Sequence, residues 1–159
     1  MRYHLFNQNL NDSNRNFIIS GLPTNLDEFI NILYKNSINL VINLTDDKNI
    51  FYYDTLKKNN IDYIHFPLDD GTTPSDEKIK NLMNILSRYN SILFHCVAGL
   101  GRAPLILGIT LILLYNYKPL EIIEKIRQKE SKALNSAQVQ FLLHFKRKKY
   151  ISDNSCIIS

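Results

Sequence analysis

A cysteine and an arginine frame a glycine-containing stretch in residues 95–102, His-Cys-Val-Ala-Gly-Leu-Gly-Arg. The stretch follows a short apolar run and precedes a longer one that begins with proline, which predicts a loop between a buried strand and a buried helix. Gly99 and Gly101 would let the backbone aim its N–H groups inward. Those groups, the helix N-terminus and the guanidinium of Arg102 would stabilise a thiolate and bind a phosphate dianion. The pattern predicts attack by Cys96 on a phosphate ester.

Attack on phosphorus releases an alkoxide or phenoxide, so a general acid is needed on a second loop. Asp69 and Asp70 are the candidates, because two prolines and adjacent acids exclude a central strand over residues 67–74. Taken alone, a cysteine in apolar surroundings is usually a core residue, and Asp-Asp-Gly is usually an ordinary turn. The spacing of Cys96, the Gly-Arg pair and the proline favours catalysis. His95 is either a strand-end residue or one that orients the loop.

Strands alternate with helices along the rest of the chain. Strands are predicted over residues 17–19, 40–44, 63–66 and 91–95. Helices are predicted after a cap at Thr24, within 51–59, after a cap at Ser75, from Pro104, from Pro119, and after a cap at Asn135 or Ser136. Residues 7–16 are expected to be a polar arm or loop. The alternation predicts an α/β domain with a central, mainly parallel sheet of about four to five strands flanked by helices.

The composition sets the class of protein. A chain of 159 residues with 45% hydrophobic and 21% charged residues predicts one globular domain, here residues 1–150, followed by a short flexible tail over 151–159. The first residues show no signal-peptide pattern, and the apolar run after Pro104 is too short to span a bilayer. Two cysteines cannot form a disulfide framework. We therefore expect a cytosolic protein or one on the cytosolic face of a membrane.

The cysteine stretch also carries a family resemblance. Residues 95–102 match the HCxxGxxR signature of cysteine-dependent protein tyrosine phosphatases, and the continuation through Ala-Pro resembles the phosphatase-of-regenerating-liver (type IVA) family. Residues 66–71 resemble the acid loop of that family, and residues 126–129 and 134–138 resemble its late helices. The resemblance implies the dual-specificity-like phosphatase fold and protein phosphatase activity, with no cofactor and no metal.

By that resemblance Cys96 is the nucleophile, Arg102 binds the phosphate and Asp70 is the general acid. The implied phosphate-binding residues are Val97, Ala98, Gly99, Leu100, Gly101 and Arg102, and the implied supporting residues are His95, Asp69, Ala103 and Gln138.

Ala103 lies where most such phosphatases carry Ser or Thr, whose hydroxyl assists the cysteine sulfur as it leaves the phospho-enzyme. We therefore expect slow turnover and a long-lived cysteinyl-phosphate. Ala98 and Leu100 add no charge to the loop, whereas phosphoinositide phosphatases of this superfamily carry Lys there, which argues against a highly phosphorylated inositol substrate.

Three departures from the family pattern also bear on function. Phe66 lies in the acid loop where the family usually has Trp. Glu130-Ser131 replace a basic pair between the late helices, so substrate or lipid contacts between those helices are expected to differ. The only other cysteine is Cys156, so the family's protective disulfide is not expected.

The C-terminal residues 156–159, Cys-Ile-Ile-Ser, form a CaaX box whose terminal Ser predicts farnesylation of Cys156. Because one prenyl chain binds a membrane only marginally, the basic residues upstream are expected to strengthen attachment to an anionic surface. These residues are Lys146, Arg147, Lys148 and Lys149. The expected location is the cytoplasmic face of the plasma or endosomal membrane, with a cytosolic pool.

The expected partners are a phosphoprotein substrate, farnesyltransferase and an anionic membrane surface, and homo-oligomer formation is left open. Nucleic acid is not expected, because the basic run lacks interleaved aromatics and a recognisable module. Two functions remain: catalysis, or use of the phosphatase face to dock cyclin-M-type magnesium transport mediators, as the family resemblance also implies.

Overall fold

The computed structural model describes residues 1–10, 13–48 and 50–151. Over these residues one sheet has the strand order β1-β2-β5-β3-β4. The strands are β1 (Tyr3–Leu10), β2 (Ser13–Ser20), β3 (Leu40–Asn43), β4 (Asp62–His65) and β5 (Ile92–His95). β2, β5, β3 and β4 are parallel neighbours, and β1 runs antiparallel to β2. The predicted mainly parallel sheet is confirmed.

Six helices flank this sheet within the described ranges. They are α1 (Leu26–Lys35), α2 (Tyr53–Lys58), α3 (Asp76–Leu86), α4 (Arg102–Tyr115), α5 (Pro119–Lys129) and α6 (Ser136–Leu143). A 3₁₀ turn follows at Arg147–Lys149. Within the described part of the chain, none of the helices is long and apolar enough to cross a bilayer. The predictions for Cys156 and the CaaX box lie outside the described residues.

The prediction of a polar arm over residues 7–16 is wrong, because β1 and β2 pair there as an antiparallel hairpin. An antiparallel edge strand can carry polar side chains, and here Arg15 contacts the C-terminal end of α3 and the residues after it. Its guanidinium donates to the carbonyls of Leu86 at 3.1 Å and Asn90 at 3.2 Å. Backbone pairing and these contacts therefore order a segment whose composition alone predicts a loop.

The N-caps of three helices agree with the predicted ones, except that the cap of α1 lies one residue later. Asn25, not Thr24, caps α1, and its side chain accepts the N–H of Glu28 at 2.9 Å. Ser75 caps α3 as predicted. Asn135 caps α6 in a capping box with Gln138. Asn and Ser are both preferred caps, because a short side-chain oxygen reaches a free N–H of the first turn.

Helix α4 is the centre of the core on one side of the sheet. Every residue from Arg102 to Leu114 is buried, and apart from Arg102 and Thr110 the helix is apolar on all sides rather than amphipathic. Its middle passes close to α6 at Gly108, where an added Cβ would lie 3.1 Å from Leu142 Cδ1. A second cluster, which includes Phe29, Leu56 and Tyr52, fills the other face. The central strand β5 is thus held firmly from both sides.

Candidate active site

The stretch 95–102 lies at the carboxyl edge of the sheet, between the last residue of β5 and the first turn of α4. Ligands of open parallel sheets bind at this edge. The N-cap of α4 is Gly101, which has no side chain to accept the N–H groups of the first turn. This is the helix N-terminus that the sequence predicted beside the cysteine, and its partial positive charge favours an anion. Residues 96–102 are hereafter the phosphate loop.

Cys96 is 3% exposed, and its Sγ accepts the backbone N–H of Gly99 at 3.2 Å. Gly99 has a φ of +74°, and an added Cβ would lie 2.7 Å from the backbone nitrogen of Gly21. Only glycine fits there. Gly101 differs from Gly99, since its φ is −118° and lies outside the left-handed region. Gly101 lies against Gln138, whose Nε2 would be 3.4 Å from an added Cβ.

Arg102 is 5% exposed and points its guanidinium towards the loop over residues 66–75, hereafter the acid loop. Its Nη1 donates to the carbonyl of Leu68 at 3.2 Å. Its Nε lies 3.4 Å from Asp70 Oδ1. The structure therefore brings the predicted phosphate-binding cation and the predicted acid together. Asp69, by contrast, lines a neighbouring cavity that also includes His65.

His95 is buried beneath the loop and contacts the hydroxyl of Tyr52 through Nε2. Burial lowers the pKa of His95 to about 4, assisted by the charge of Arg102 and opposed by a backbone hydrogen bond with Cys96. Burial also raises the pKa of Tyr52 well above its ordinary range, and Tyr63 acts in the same direction. At neutral pH the hydroxyl therefore donates to a neutral imidazole. This pair supports the last residue of β5, in line with an orienting role for His95.

A groove of about 400 Å³ opens beside Arg102 and Asp70. Its apolar wall comes from Leu22, Ile50, Phe51 and Val97, and its polar lining includes Thr45, Asp46 and Asp47. Phe51 and Val97 are more than half exposed, at 57% and 61%. The groove thus presents apolar surface and carboxylates to the part of a substrate that lies next to its phosphate.

The segment over residues 134–138 lies against both loops and is hereafter the bridging segment. The N–H of Leu134 donates to the carbonyl of Leu100 in the phosphate loop at 2.8 Å. The side chain of Asn135 donates to the carbonyl of Gly71 in the acid loop at 3.0 Å. Gln138 is buried and contacts the carbonyl of Thr72 at 3.4 Å.

The remaining predicted loop residues lie as follows. Val97 and Ala98 are exposed at the rim, and Ala103 is fully buried in the first turn of α4. Glu130 is 2% exposed and binds Arg2 at 2.7 Å, so its carboxylate faces the N-terminal strand rather than the groove.

This sheet, loop and helix arrangement is the fold of cysteine-dependent phosphatases, and comparisons with known proteins agree. A family model described as "Polymorphic toxin system, DSP-PTPase phosphatase" matches residues 21–115. A solved structure of a protein tyrosine phosphatase from Leishmania major superposes with a TM-score of 0.72 at 26% identity, covering 84% of this chain and 89% of the other.

Curated relatives narrow the class to one family. The protein tyrosine phosphatase type IVA 3 of Bos taurus is 32% identical over 145 residues, which cover 85% of this chain and 81% of that protein. The PRL-1 phosphatase of Drosophila melanogaster is 30% identical over 155 residues, covering 89% and 86%. The chain therefore belongs to the type IVA (PRL) family of protein tyrosine phosphatases. The predicted fold and family are confirmed.

Two residues near the site were not predicted to act there. Tyr52 is one of nine tyrosines and carries no motif that marks it as the partner of His95. Asn135 was predicted only as a candidate cap, and its contact with Gly71 spans 64 positions of sequence. The pattern Asn-x-x-Gln predicts that Asn135 caps a helix, but it does not predict that the same side chain also contacts the acid loop.

Proposed function

We propose that the chain dephosphorylates phosphotyrosine, and phosphoserine or phosphothreonine, on proteins through a cysteinyl-phosphate on Cys96. The observation that carries the proposal is the meeting of Cys96, Arg102 and Asp70 at one uncapped helix N-terminus. The thiolate forms an S–P bond while the ester P–O bond breaks, and Asp70 gives its proton to the departing oxygen. Arg102 binds two phosphoryl oxygens, for which it must exchange its present contacts. Water then attacks phosphorus, Asp70 takes back a proton, and the thiolate leaves.

The lining of the groove supports a protein substrate. A phosphorylated side chain offers one phosphate and apolar or basic neighbours, which suit Phe51, Val97 and the carboxylates of Asp46 and Asp47. A highly phosphorylated inositol would place further negative charge beside those carboxylates, and like charges repel.

The direct test is to incubate the chain with a phosphotyrosyl peptide and, separately, with a polyphosphorylated phosphoinositide. We expect phosphate release from the peptide and an intact mass increased by one phosphoryl group on Cys96. Cys96→Ser is the control and should show neither. Faster release from the phosphoinositide would contradict the proposed substrate class, and activity in Cys96→Ser would contradict the nucleophile.

The proposal includes slow turnover, supported by the absence of a hydroxyl at buried Ala103. Ala103→Ser should raise kcat several-fold, because the added hydroxyl donates to the departing sulfur, while kcat/KM for the first step stays unchanged. Ala98→Ser, in the exposed part of the same loop, is the matched control. If kcat does not rise in Ala103→Ser, this account of the slow step is wrong.

Membrane attachment through farnesylated Cys156 is also proposed, with the basic residues adding electrostatic attraction. Arg147 Nε donates to the carbonyl of Leu113 at 2.9 Å, and Lys149 pairs with Asp76. Among the described residues, no partner is found for the ammonium groups of Lys146 and Lys148, so these are the cations of the run most available to a membrane. At about 1 kcal/mol for each Lys near an anionic leaflet, they would add about 2 kcal/mol, compared with about 4 for the whole run.

Cell fractionation tests the attachment. Cys156→Ser should release the protein to the soluble fraction, and a Lys146→Ala, Lys148→Ala double variant should weaken attachment. Arg147→Lys keeps the charge and is the control. Unchanged membrane association of Cys156→Ser would contradict the proposal.

A second candidate function, docking of cyclin-M-type magnesium transport mediators on the phosphatase face, is favoured by Ala103. Slow clearance of the phospho-enzyme leaves little steady-state activity for a purely catalytic role. Comparing Cys96→Ser with Asp70→Ala in cells separates the two functions. Loss of the cellular effect in both supports catalysis, and retention in catalytically inactive Asp70→Ala supports docking.

A further inference from the structure

The acid loop presents a difficulty for catalysis, because its candidate acid is 86% exposed on the side chain. Asp70 lies in a tight turn closed by the N–H of Thr72, which donates to the carbonyl of Asp69 at 3.2 Å. Gly71 completes the turn with a φ of +73°, a conformation that favours glycine. The turn shapes the loop locally, but it does not hold Asp70 over the phosphate loop.

Arg102 contacts Leu68 and Asp70, but it must leave these contacts to bind a phosphate. The bridging segment supplies an attachment that does not depend on Arg102. The amide of Asn135 donates to the carbonyl of Gly71, the residue directly after Asp70, at 3.0 Å. One residue earlier, the N–H of Leu134 donates to the carbonyl of Leu100 at 2.8 Å. Two successive residues thus connect the acid loop with the phosphate loop.

The bridging segment is itself held in place. Leu134 has a φ of +68° and is buried, although a branched side chain normally disfavours this region. Arg127 of α5 donates to the carbonyls of Ala133 and Leu134, both at 3.1 Å. A conformation of this kind persists only where surrounding contacts over-determine it. The position of Asn135 is therefore set by α5 and the phosphate loop rather than by the acid loop that it contacts.

We propose that Asn135 is a positioning residue for the general acid, because its side-chain amide fixes the turn that carries Asp70 relative to the phosphate loop. The proposal rests on the phosphatase mechanism proposed above. Asn135 touches neither the phosphate nor the reacting atoms, so it acts only through Asp70. Loss of the Asn135 amide should therefore lower kcat/KM most for substrates whose leaving group needs a proton.

Asn135→Ser separates this role from helix capping. Serine keeps an oxygen that can accept the N–H of Gln138, so α6 retains its cap, but it lacks the amide that reaches Gly71. Asn25→Ser is the matched control: Asn25 caps α1 through Glu28 in the same way and lies outside both loops. Asn135→Asp is a second variant that keeps the cap oxygen and removes the amide donor.

The experiment measures kcat/KM for two aryl phosphates, because kcat is governed by hydrolysis of the phospho-enzyme. Phenyl phosphate has a poor leaving group that requires the acid, and dinitrophenyl phosphate has a good one that does not. For Asn135→Ser we expect a loss of about tenfold with phenyl phosphate and less than about twofold with dinitrophenyl phosphate. Adding Asn135→Ser to Asp70→Asn should cost nothing further, because the acid through which Asn135 acts is already absent.

Equal losses for the two substrates would show a merely structural effect and overturn the proposal, as would no loss. An additive loss in the double variant would also overturn it. If Asn135→Ser fails to fold, judged by its unfolding midpoint against Asn25→Ser, Asn135→Asp is measured against the same criteria. If the wild-type chain cleaves neither phosphate, the proposed function fails; if it cleaves both and the variant shows no selectivity, only the role of Asn135 fails.

Discussion

The phosphate loop and the acid loop carry the two halves of the proposed reaction, and they are built in opposite ways. In the phosphate loop Cys96 and Arg102 are 3% and 5% exposed, between the central strand and the most buried helix. In the acid loop Asp70 is 86% exposed at the tip of a turn. The phosphate loop is buried between consecutive elements of the chain, while the turn that carries Asp70 is held in part by Asn135, which lies 64 positions from Gly71. Substitutions in the two loops should therefore differ in both size and kind of effect.

The largest effect is expected from Arg102→Lys. An ammonium group cannot bind two phosphoryl oxygens in a planar fork, so kcat/KM should fall by about 10³-fold for every substrate, whatever its leaving group. Arg88→Lys on the exposed surface is the matched control. Steady-state kinetics with both aryl phosphates checks this. A loss confined to poor leaving groups would contradict the assignment of Arg102 to the phosphate.

Asp70→Asn should produce an intermediate and selective effect. Without a proton donor, kcat/KM for phenyl phosphate should fall by about 10²-fold, while dinitrophenyl phosphate should lose only a few-fold. Asp69→Asn is the control, because Asp69 lines the neighbouring cavity rather than the groove that contains Arg102. If Asp69→Asn shows the selective loss and Asp70→Asn does not, the two acids have been assigned in the wrong order.

His95 and Tyr52 support the phosphate loop, and changes there should have the smallest effect on activity. Their effect should appear instead in how the free energy of unfolding depends on pH. The folded pKa of His95 is about 4 against an ordinary 6.5, so the unfolded chain binds the proton first as the pH falls. The stability from neutral His95 is complete above pH 6.5 and is lost as the pH falls towards about 4, by up to about 3 kcal/mol.

Tyr52→Phe sharpens this prediction. Removing the hydroxyl donor should lower the free energy of unfolding at neutral pH by about 1 kcal/mol and reduce the acid-induced loss, because the neutral imidazole is stabilised less. Urea unfolding at several pH values measures both. Tyr34→Phe removes an exposed hydroxyl bonded to Asn59 and serves as the control. An unchanged pH dependence in Tyr52→Phe would show that the hydrogen bond adds nothing to the effect of burial.

Much of the buried loop could be predicted from sequence because its determinants are consecutive. The strand, Cys96, Gly99, Arg102 and the helix start within a dozen positions, and each follows local rules of periodicity and backbone freedom. The site roles of these residues remain predictions that the kinetics above must test. The support of His95 by Tyr52 could not be predicted, because a buried hydroxyl finds its partner only when the two faces of the sheet are assembled.

The polar hairpin shows the same limit in the fold. Residues 7–16 contain mostly Asn, Asp, Ser and Arg, which local propensity assigns to loops. Pairing of β1 with β2, and the contacts of Arg15 with distant carbonyls, override that propensity. The N-cap of α1 is Asn25 rather than the predicted Thr24, because both residues are acceptable caps and the local sequence does not choose between them.

The close approach of α4 and α6 at Gly108 has a consequence for how sequences of this family can vary. An added Cβ at Gly108 would lie 3.1 and 3.2 Å from the two Cδ atoms of Leu142 and 3.6 Å from Ile126 Cδ1. A larger residue at Gly108 would press on Leu142 of α6, the helix that Asn135 caps and whose first turn includes Gln138. Relatives with a side chain at this position should therefore carry a smaller residue opposite it, and this covariation would link a core position to the leaving groups that the enzyme accepts.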